Sequence, residues 1–295
     1  MNSTFLIKSV QLDENNIWNI QLKLVDNIWD IDFGERSIFS PNGDQIVIRH
    51  LSKENEQFIA FKLLLDMILR LDQTKYSKDE LLEFCRSKYA NDPIEIKKIK
   101  DFEDNYESND AVKWYTKNCF LYRLLNQSLR TEIINSIVKM RYYIYDVHNQ
   151  LAQLQSSFIE SLNGQTNLIL YRGQTMAKNE LDKIRENCGS FISMNSFLSA
   201  TQEKQVAVVF SGDGETSNPN EVSVIYEMMI DTNIRSTPYA KIKSFIPDEE
   251  EILFSMGPIF RIEHVDESDN HVSYVKLTMV HLEDELWNKL TKHLN

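Results

Sequence analysis

Glycine and proline are scarce in this chain, 8 and 6 of 295 residues, which excludes a collagen-like or low-complexity protein. Hydrophobic residues make up 42%, which excludes a disordered one. No apolar run approaches the roughly 20 residues that a membrane helix needs, and neither end carries a lipidation motif. The opening residues, MNSTFLIKSVQLDENN, lack a basic segment followed by an apolar one, so no secretory signal is evident and a cytoplasmic location is expected. Cysteine is limited to Cys85, Cys119 and Cys188; an odd number at wide spacing fits reduced thiols rather than a disulfide framework. With no C-x-x-C and no His-x-Glu pair, no metal is expected. Neither G-x-G-x-x-G nor G-K-[ST] occurs, which removes support for a Rossmann or P-loop nucleotide site. Basic charge is also in deficit: 32 Lys and Arg stand against 44 Asp and Glu, a formal net charge of -12. Such a chain repels phosphate backbones, so nucleic acid is not an expected partner.

What is present changes period along the chain. Residues 1–52 hold short runs rich in β-branched and aromatic residues, STFLIKSVQL, NIWNIQLKLV and QIVIRHL, separated by polar turns such as SPNG. They read as a β-rich extension, with Trp18 and Trp29 as its anchors. From 53 to 163 apolar residues recur at three- and four-residue steps, in EQFIAFKLLLDMILRL, KDELLEFCRSKY, DAVKWYTKNCFLYRLLNQSL and EIINSIVKMRYYIYDVHNQLAQLQSSFIESL. Ser77 and Asn109 or Asp110 are candidate N-caps, and Asn163-Gly164 a stop. Beyond 164 short strands return, from NLILYR to VSYVKLTMVHL, with one helical insert at EKQVAVVFS. Helices followed by strands predict an α+β fold rather than alternating βαβ units.

Three strand ends of the last segment carry polar groups in apolar surroundings. Arg172 lies in LILYRGQTM, and because its guanidinium cannot lose its proton it must find an acceptor or an anion. In SFLSAT, an extended chain puts Ser199 and Thr201 on one face. In FIPDEEEILFSMG, four acidic residues run directly into Ile252, Leu253 and Phe254, and extension points Glu249 and Glu251 to the same side. Like charges this close favour a cation nearby. The residues alone also admit blander readings: a structural ion pair for Arg172, an ST-rich turn, and a solvated acidic turn. Trp114, Tyr115, Phe120 and Tyr122 read as core, with one of them able to line a pocket. His148 reads as a packing residue on its helix.

Taken in order, Arg, then Ser-x-Thr, then Glu-x-Glu, these elements resemble those of the arginine-specific mono-ADP-ribosyltransferases. YRG matches the first, FLSAT the second with Thr201 in place of a serine, and EEEILF the third with Glu251 at the catalytic position and Glu249 two residues before it. AVKWYTKNCFLYRLLNQSL is similar to the helical segment of eukaryotic, rotifer-type members. The resemblance spans roughly residues 55 to 285 and implies a helical part, 53–163, before a split β-sandwich, 164–295, with NAD as substrate in its cleft and no metal. It implies that Glu251 stabilises an oxocarbenium-like ribose as nicotinamide leaves, that Ser199 orients Glu251, and that Arg172 holds the NAD phosphate or braces the site. Gly173 beside it joins the NAD-binding set. Glu249 would receive the guanidinium of a protein acceptor bearing an exposed arginine. Three other readings remain open: a glycoside hydrolase built on paired carboxylates, an NAD glycohydrolase, and a non-catalytic binding module on the same fold.

Overall fold

The computed structural model describes residues 4–12, 18–25, 48–50, 55–71, 73–117, 119–215, 218–243, 250–267 and 271–281. Two compact units divide at Arg36 and Ser37. The smaller holds β1 (Thr4–Leu12) and β2 (Trp18–Val25), an antiparallel pair running from Thr4 opposite Val25 to Leu12 opposite Trp18, with a bulge between Ile7 and Ser9.

The larger unit opens with β3 (Ile48–His50), then turns helical: α1 (Asn55–Arg70), α2 (Lys75–Lys88), α3 (Pro93–Asn105), a 3-10 turn at Ser108–Asp110, α4 (Ala111–Thr116), α5 (Phe120–Thr131) and α6 (Ile134–Ser161). Local chemistry sets several of these ends. Asp92 accepts from the backbone N–H of Ile94 and Glu95, both at 3.0 Å, and Pro93 takes the first helical position of α3. Helix α2 begins before Ser77 rather than at it: Ser77 is the third helical residue, and its hydroxyl accepts from the Thr74 N–H at 3.2 Å. The run 110–129, which reads as one helix, is two, because the chain extends at Lys117 and Cys119 between α4 and α5. Helix α6 ends as its composition implies, with Asn163 and Gly164 both at positive φ, 51° and 84°.

The helices share a core centred on Phe102 of α3. Its ring meets Trp114, Phe120 and Tyr143 nearly edge-on, at centroid distances of 5.2, 6.0 and 6.1 Å. Each such pair adds about 0.5–1.5 kcal/mol beyond area burial. Arg141 of α6 is 1% exposed and is paired with Glu80 of α2 and with the Val138 carbonyl.

After the helices come β4 (Asn167–Ala177), α7 (Lys178–Glu186), β5 (Phe191–Met194), β6 (Leu198–Thr201), α8 (Lys204–Ser211), β7 (Glu221–Asp231), β8 (Tyr239–Lys243), β9 (Glu250–Phe254), β10 (Ile259–Glu267) and β11 (Val272–Met279). The order of helices and then strands is the α+β arrangement the periodicity implies. Helix α7 carries only Leu181 and Ile184 as buried residues, too few to register as a repeat. The strands form one mixed sheet in the order β3-β5-β10-β11-β7-β4-β6-β9-β8, parallel between β11 and β7 and antiparallel elsewhere. Its weakest joint lies between β4 and β6, which pair only at Tyr171 and Thr201. That single pair separates a six-stranded section from the three-stranded section β6-β9-β8. The helices meet this smaller section where Phe158 of α6 lies 6.2 Å from Tyr239 of β8, itself stacked on Phe254 of β9 at 5.0 Å.

Candidate functional site

Arg172, Ser199 and Glu251 fall on three consecutive strands, β4, β6 and β9, at the joint between the two sections. Strand β4 alternates through Leu168 and Leu170, both buried, and then changes: Tyr171, Arg172, Gly173 and Gln174 are all half-buried. The long ladder with β7 sets Arg172 opposite Tyr226. With β6 pairing only at Tyr171, the carbonyl of Ser199 is not bound into a regular ladder with β4. Arg172 Nη1 donates to it at 2.8 Å. The guanidinium thus stitches the two sections together where backbone pairing has stopped. A longer contact, 3.4 Å, runs from Arg172 Nε to Gln174 Oε1.

Gly173 meets α8. A Cβ at this position would lie 1.7 Å from the Ala207 carbonyl oxygen and 2.7 Å from Ser211 N. The missing side chain is what lets the helix backbone lie on the strand.

Glu251 is half-buried near the start of β9, while the three residues that follow, Ile252, Leu253 and Phe254, are all 0% exposed. Strand β9 is central in its section, with Thr201 of β6 opposite Glu251 on one side and Ile242 of β8 on the other. The apolar stretch that follows the acidic run is packed into the sheet, and it leaves Glu251 half-buried at the start of β9. Ser199 lies opposite Leu253, one diagonal step from Glu251, a spacing of about 7–8 Å between Cα atoms in such ladders. Thr201 is 5% exposed, and its hydroxyl accepts from the Glu203 N–H at 3.1 Å, fixing the turn into α8. Glu249 lies outside the described residues.

A residue from the helical segment joins the group. Tyr115 of α4 is 3% exposed; its ring contacts Phe197, just before β6, at 5.5 Å, and its hydroxyl accepts from Asn126 Nδ2 at 3.0 Å. Burial pushes its phenol well up; the Tyr122 hydroxyl and the Glu251 carboxylate add to the rise, while the Asn126 bond and the Arg172 charge oppose it. Tyr226 is likewise raised by burial and drawn back by Arg172. The helical period put Tyr115 among core aromatics; that its ring packs against Phe197, just before β6, needed the tertiary contacts. Gln174 and Tyr226 gave no signal in sequence beyond their strands.

Two polar cavities lie elsewhere. One of about 230 Å³ is bounded by Ser108, Asn109, Asp146 and Gln150 among others, and one of about 160 Å³ by Lys62, Asp66, His148 and Thr237 among others. Neither is lined by Arg172, Gly173, Ser199 or Glu251. His148 contacts Ser255 Oγ through Nδ1 at 2.8 Å. Its pKa is lowered to about 4, by burial first and the Lys62 charge second, against Asp66. Such an imidazole is neutral and structural at ordinary pH, in keeping with its reading as a packing residue. Among the described residues no group of three or more His, Cys, Asp or Glu side chains gathers as a metal site, and no helix is long and apolar enough to cross a membrane.

Chemically, a half-buried guanidinium and a carboxylate on neighbouring strands make a site with separated charges of opposite sign. The first suits a phosphate; the second suits a centre that becomes positive during reaction.

No protein-family model matches the chain, and no curated protein is significantly similar to it. Solved structures similar to it include the ADP-ribosyltransferase HopU1 of Pseudomonas syringae pv. Tomato DC3000, at 20% identity and a TM-score of 0.48 over 72% of this chain and 100% of that one. The Vis toxin from Vibrio Splendidus, an ADP-ribosyltransferase, is 21% identical with a TM-score of 0.44, covering 73% of this chain and 90% of its own. The Clostridium limosum C3 exoenzyme is 14% identical, with a TM-score of 0.44 over 69% of this chain and 95% of that one.

Proposed function

We propose that this chain is an NAD-dependent mono-ADP-ribosyltransferase that transfers ADP-ribose to arginine side chains of a protein acceptor and releases nicotinamide. The observation that carries the reading is the meeting of Arg172, Ser199 and Glu251 on adjacent strands, from positions far apart in the chain, with the Arg172 guanidinium bonded to the Ser199 carbonyl at 2.8 Å.

The residues fit a dinucleotide. Arg172 spends one N–H on Ser199 and a long contact on Gln174, and a guanidinium has five N–H donors in all. The others can hold a phosphate while the first keeps the strand in place. In this reading the bond between nicotinamide and the ribose anomeric carbon breaks with its electrons leaving on nicotinamide. Positive charge grows on the ribose, and Glu251, anchored by the buried Ile252, Leu253 and Phe254 that follow it, stabilises that state more than the ground state. The acceptor guanidinium then attacks the anomeric carbon and loses a proton; the resemblance gives Glu249 the task of holding that guanidinium. Thr201 keeps the hydroxyl of the serine it replaces but uses it to accept the Glu203 N–H, so its part is to shape the turn beneath Glu251.

The test is incubation of the pure protein with labelled NAD and a small guanidinium compound, with conjugate and free ADP-ribose measured separately. Glu251→Gln should lower nicotinamide release by about 100-fold or more, the scale of losing one electrostatic stabiliser. Glu249→Gln should reduce conjugate while sparing NAD hydrolysis. Equal rates for Glu251→Gln and the parent would sink the assignment, and free ADP-ribose without conjugate would make the protein a glycohydrolase.

A further inference from the structure

We propose that Gln174 is a positioning residue for Arg172: its side-chain amide, set between the guanidinium and the buried Tyr226 phenol, turns the free end of the guanidinium toward the diphosphate of NAD. The inference rests on the transferase reading above and names what aims the charge that this reading needs.

Strand β4 puts Arg172 and Gln174 on one face, two residues apart, and its ladder with β7 sets Tyr226 directly opposite Arg172. That ladder runs the whole length of β4, and Gly173 between the two side chains lies against α8, so the backbone beneath them is fixed on both sides. Gln174 meets both neighbours: its Oε1 accepts from Arg172 Nε at 3.4 Å, and its Nε2 donates to the Tyr226 hydroxyl at 3.5 Å. Both contacts are long, and what they supply is direction more than strength. The reverse amide orientation would aim N–H groups at a cation, so charge sets the polarity of the chain. Tyr226 is 1% exposed and burial keeps its phenol protonated, which makes it a neutral backstop for the amide.

A guanidinium held at one nitrogen can swing about that bond; held at two, its plane is set. Arg172 is held at Nη1 by the Ser199 carbonyl, at 2.8 Å, and at Nε by Gln174. Two of its five N–H donors are thereby engaged, and the rest lie on Nη1 and Nη2, the end that matches a phosphate in bidentate fashion. Fixing this side chain before the ligand arrives removes an ordering cost that binding would otherwise meet.

Gln174→Met keeps the length of the side chain and removes both polar atoms. If the amide aims Arg172, the Kd for ADP-ribose, measured by calorimetry, should rise about fivefold, the scale of one modest hydrogen bond. The KM for NAD should rise in proportion while kcat for nicotinamide release stays within about twofold, because Arg172 holds the phosphate alike in ground and transition states. Inhibition by free nicotinamide, which carries no phosphate, should be unchanged. A merely structural role would instead lower kcat and nicotinamide affinity together with the melting temperature. In an Arg172→Lys background, where no Nε–H remains to be held, the same substitution should change the Kd less than about twofold. Tyr226→Phe keeps its ring, takes away the backstop and should raise the Kd for ADP-ribose about threefold; it carries the test if Gln174→Met does not fold. Parental affinity for ADP-ribose in the folded variant, or a fivefold loss persisting beside Arg172→Lys, would overturn the role of Gln174 alone. A parent that neither binds ADP-ribose nor releases nicotinamide overturns the transferase reading and this inference with it.

Discussion

Single side chains in this molecule are held by neighbours that permit one protonation state. His148 is the clearest case: its imidazole is half-buried near Lys62 and Asp66, touches Ser255 Oγ, and has its pKa lowered from 6.5 to about 4. The unfolded chain therefore binds a proton between these values that the folded chain refuses, so stability rises with pH across this window. The contribution is complete above pH 6.5 and is lost as pH falls towards 4, amounting to roughly 3 kcal/mol. Urea unfolding of the parent and of His148→Gln between about pH 4 and pH 7.5 isolates it from the carboxylates. The parent's advantage over the variant should shrink by that amount on acidification, and parallel curves would refute it. Glu251 shows the same dependence on neighbours by another route. The three buried residues after it fix the register of β9, because a one-residue slip would turn that apolar set to the wrong face, and the carboxylate's direction follows.

Among elements, the contact of α8 with β4 is the one most sensitive to a single methyl group. Gly173 has no room for a Cβ against the Ala207 carbonyl, and that obstacle is backbone, which cannot rotate out of the way. Gly173→Ala should lower stability by about 1–3 kcal/mol, as overpacking does elsewhere, seen as a reduced urea midpoint with unchanged slope. Because Arg172 is the preceding residue, a displaced strand would also strain its bond to the Ser199 carbonyl, and nicotinamide release should fall with stability. Elements differed in how plainly the sequence marked them. Helix α6 was legible from its apolar steps, since Ile137, Ile144, Val147 and Leu151 are all 0% exposed along one face. Helix α7, with two buried residues, was not, and the break between α4 and α5 was hidden because apolar spacing continues through it. Ser77 drew the start of α2 inward, although its hydroxyl serves the helix from the third position.

At the scale of the whole chain, the division into residues 1–36 and 37–295 makes a direct prediction. A chain beginning at Ser37 should keep the parental melting temperature within about 2 °C and the same rate of nicotinamide release. A fall of more than about 5 °C would mean that the larger unit needs the first. The sequence by itself determined the class of the fold, because a switch from helical to strand period is a property of neighbouring residues. It also determined which polar groups sat in apolar surroundings: Arg172, Ser199, and the glutamate that opens an apolar strand. Only the tertiary structure decided that these lie on adjacent strands, that Gly173 admits a helix, and that Tyr115 packs against Phe197, just before β6, from another segment. Those facts depend on pairings between residues far apart in the chain, and local periodicity carries no information about which distant strand a given strand will choose.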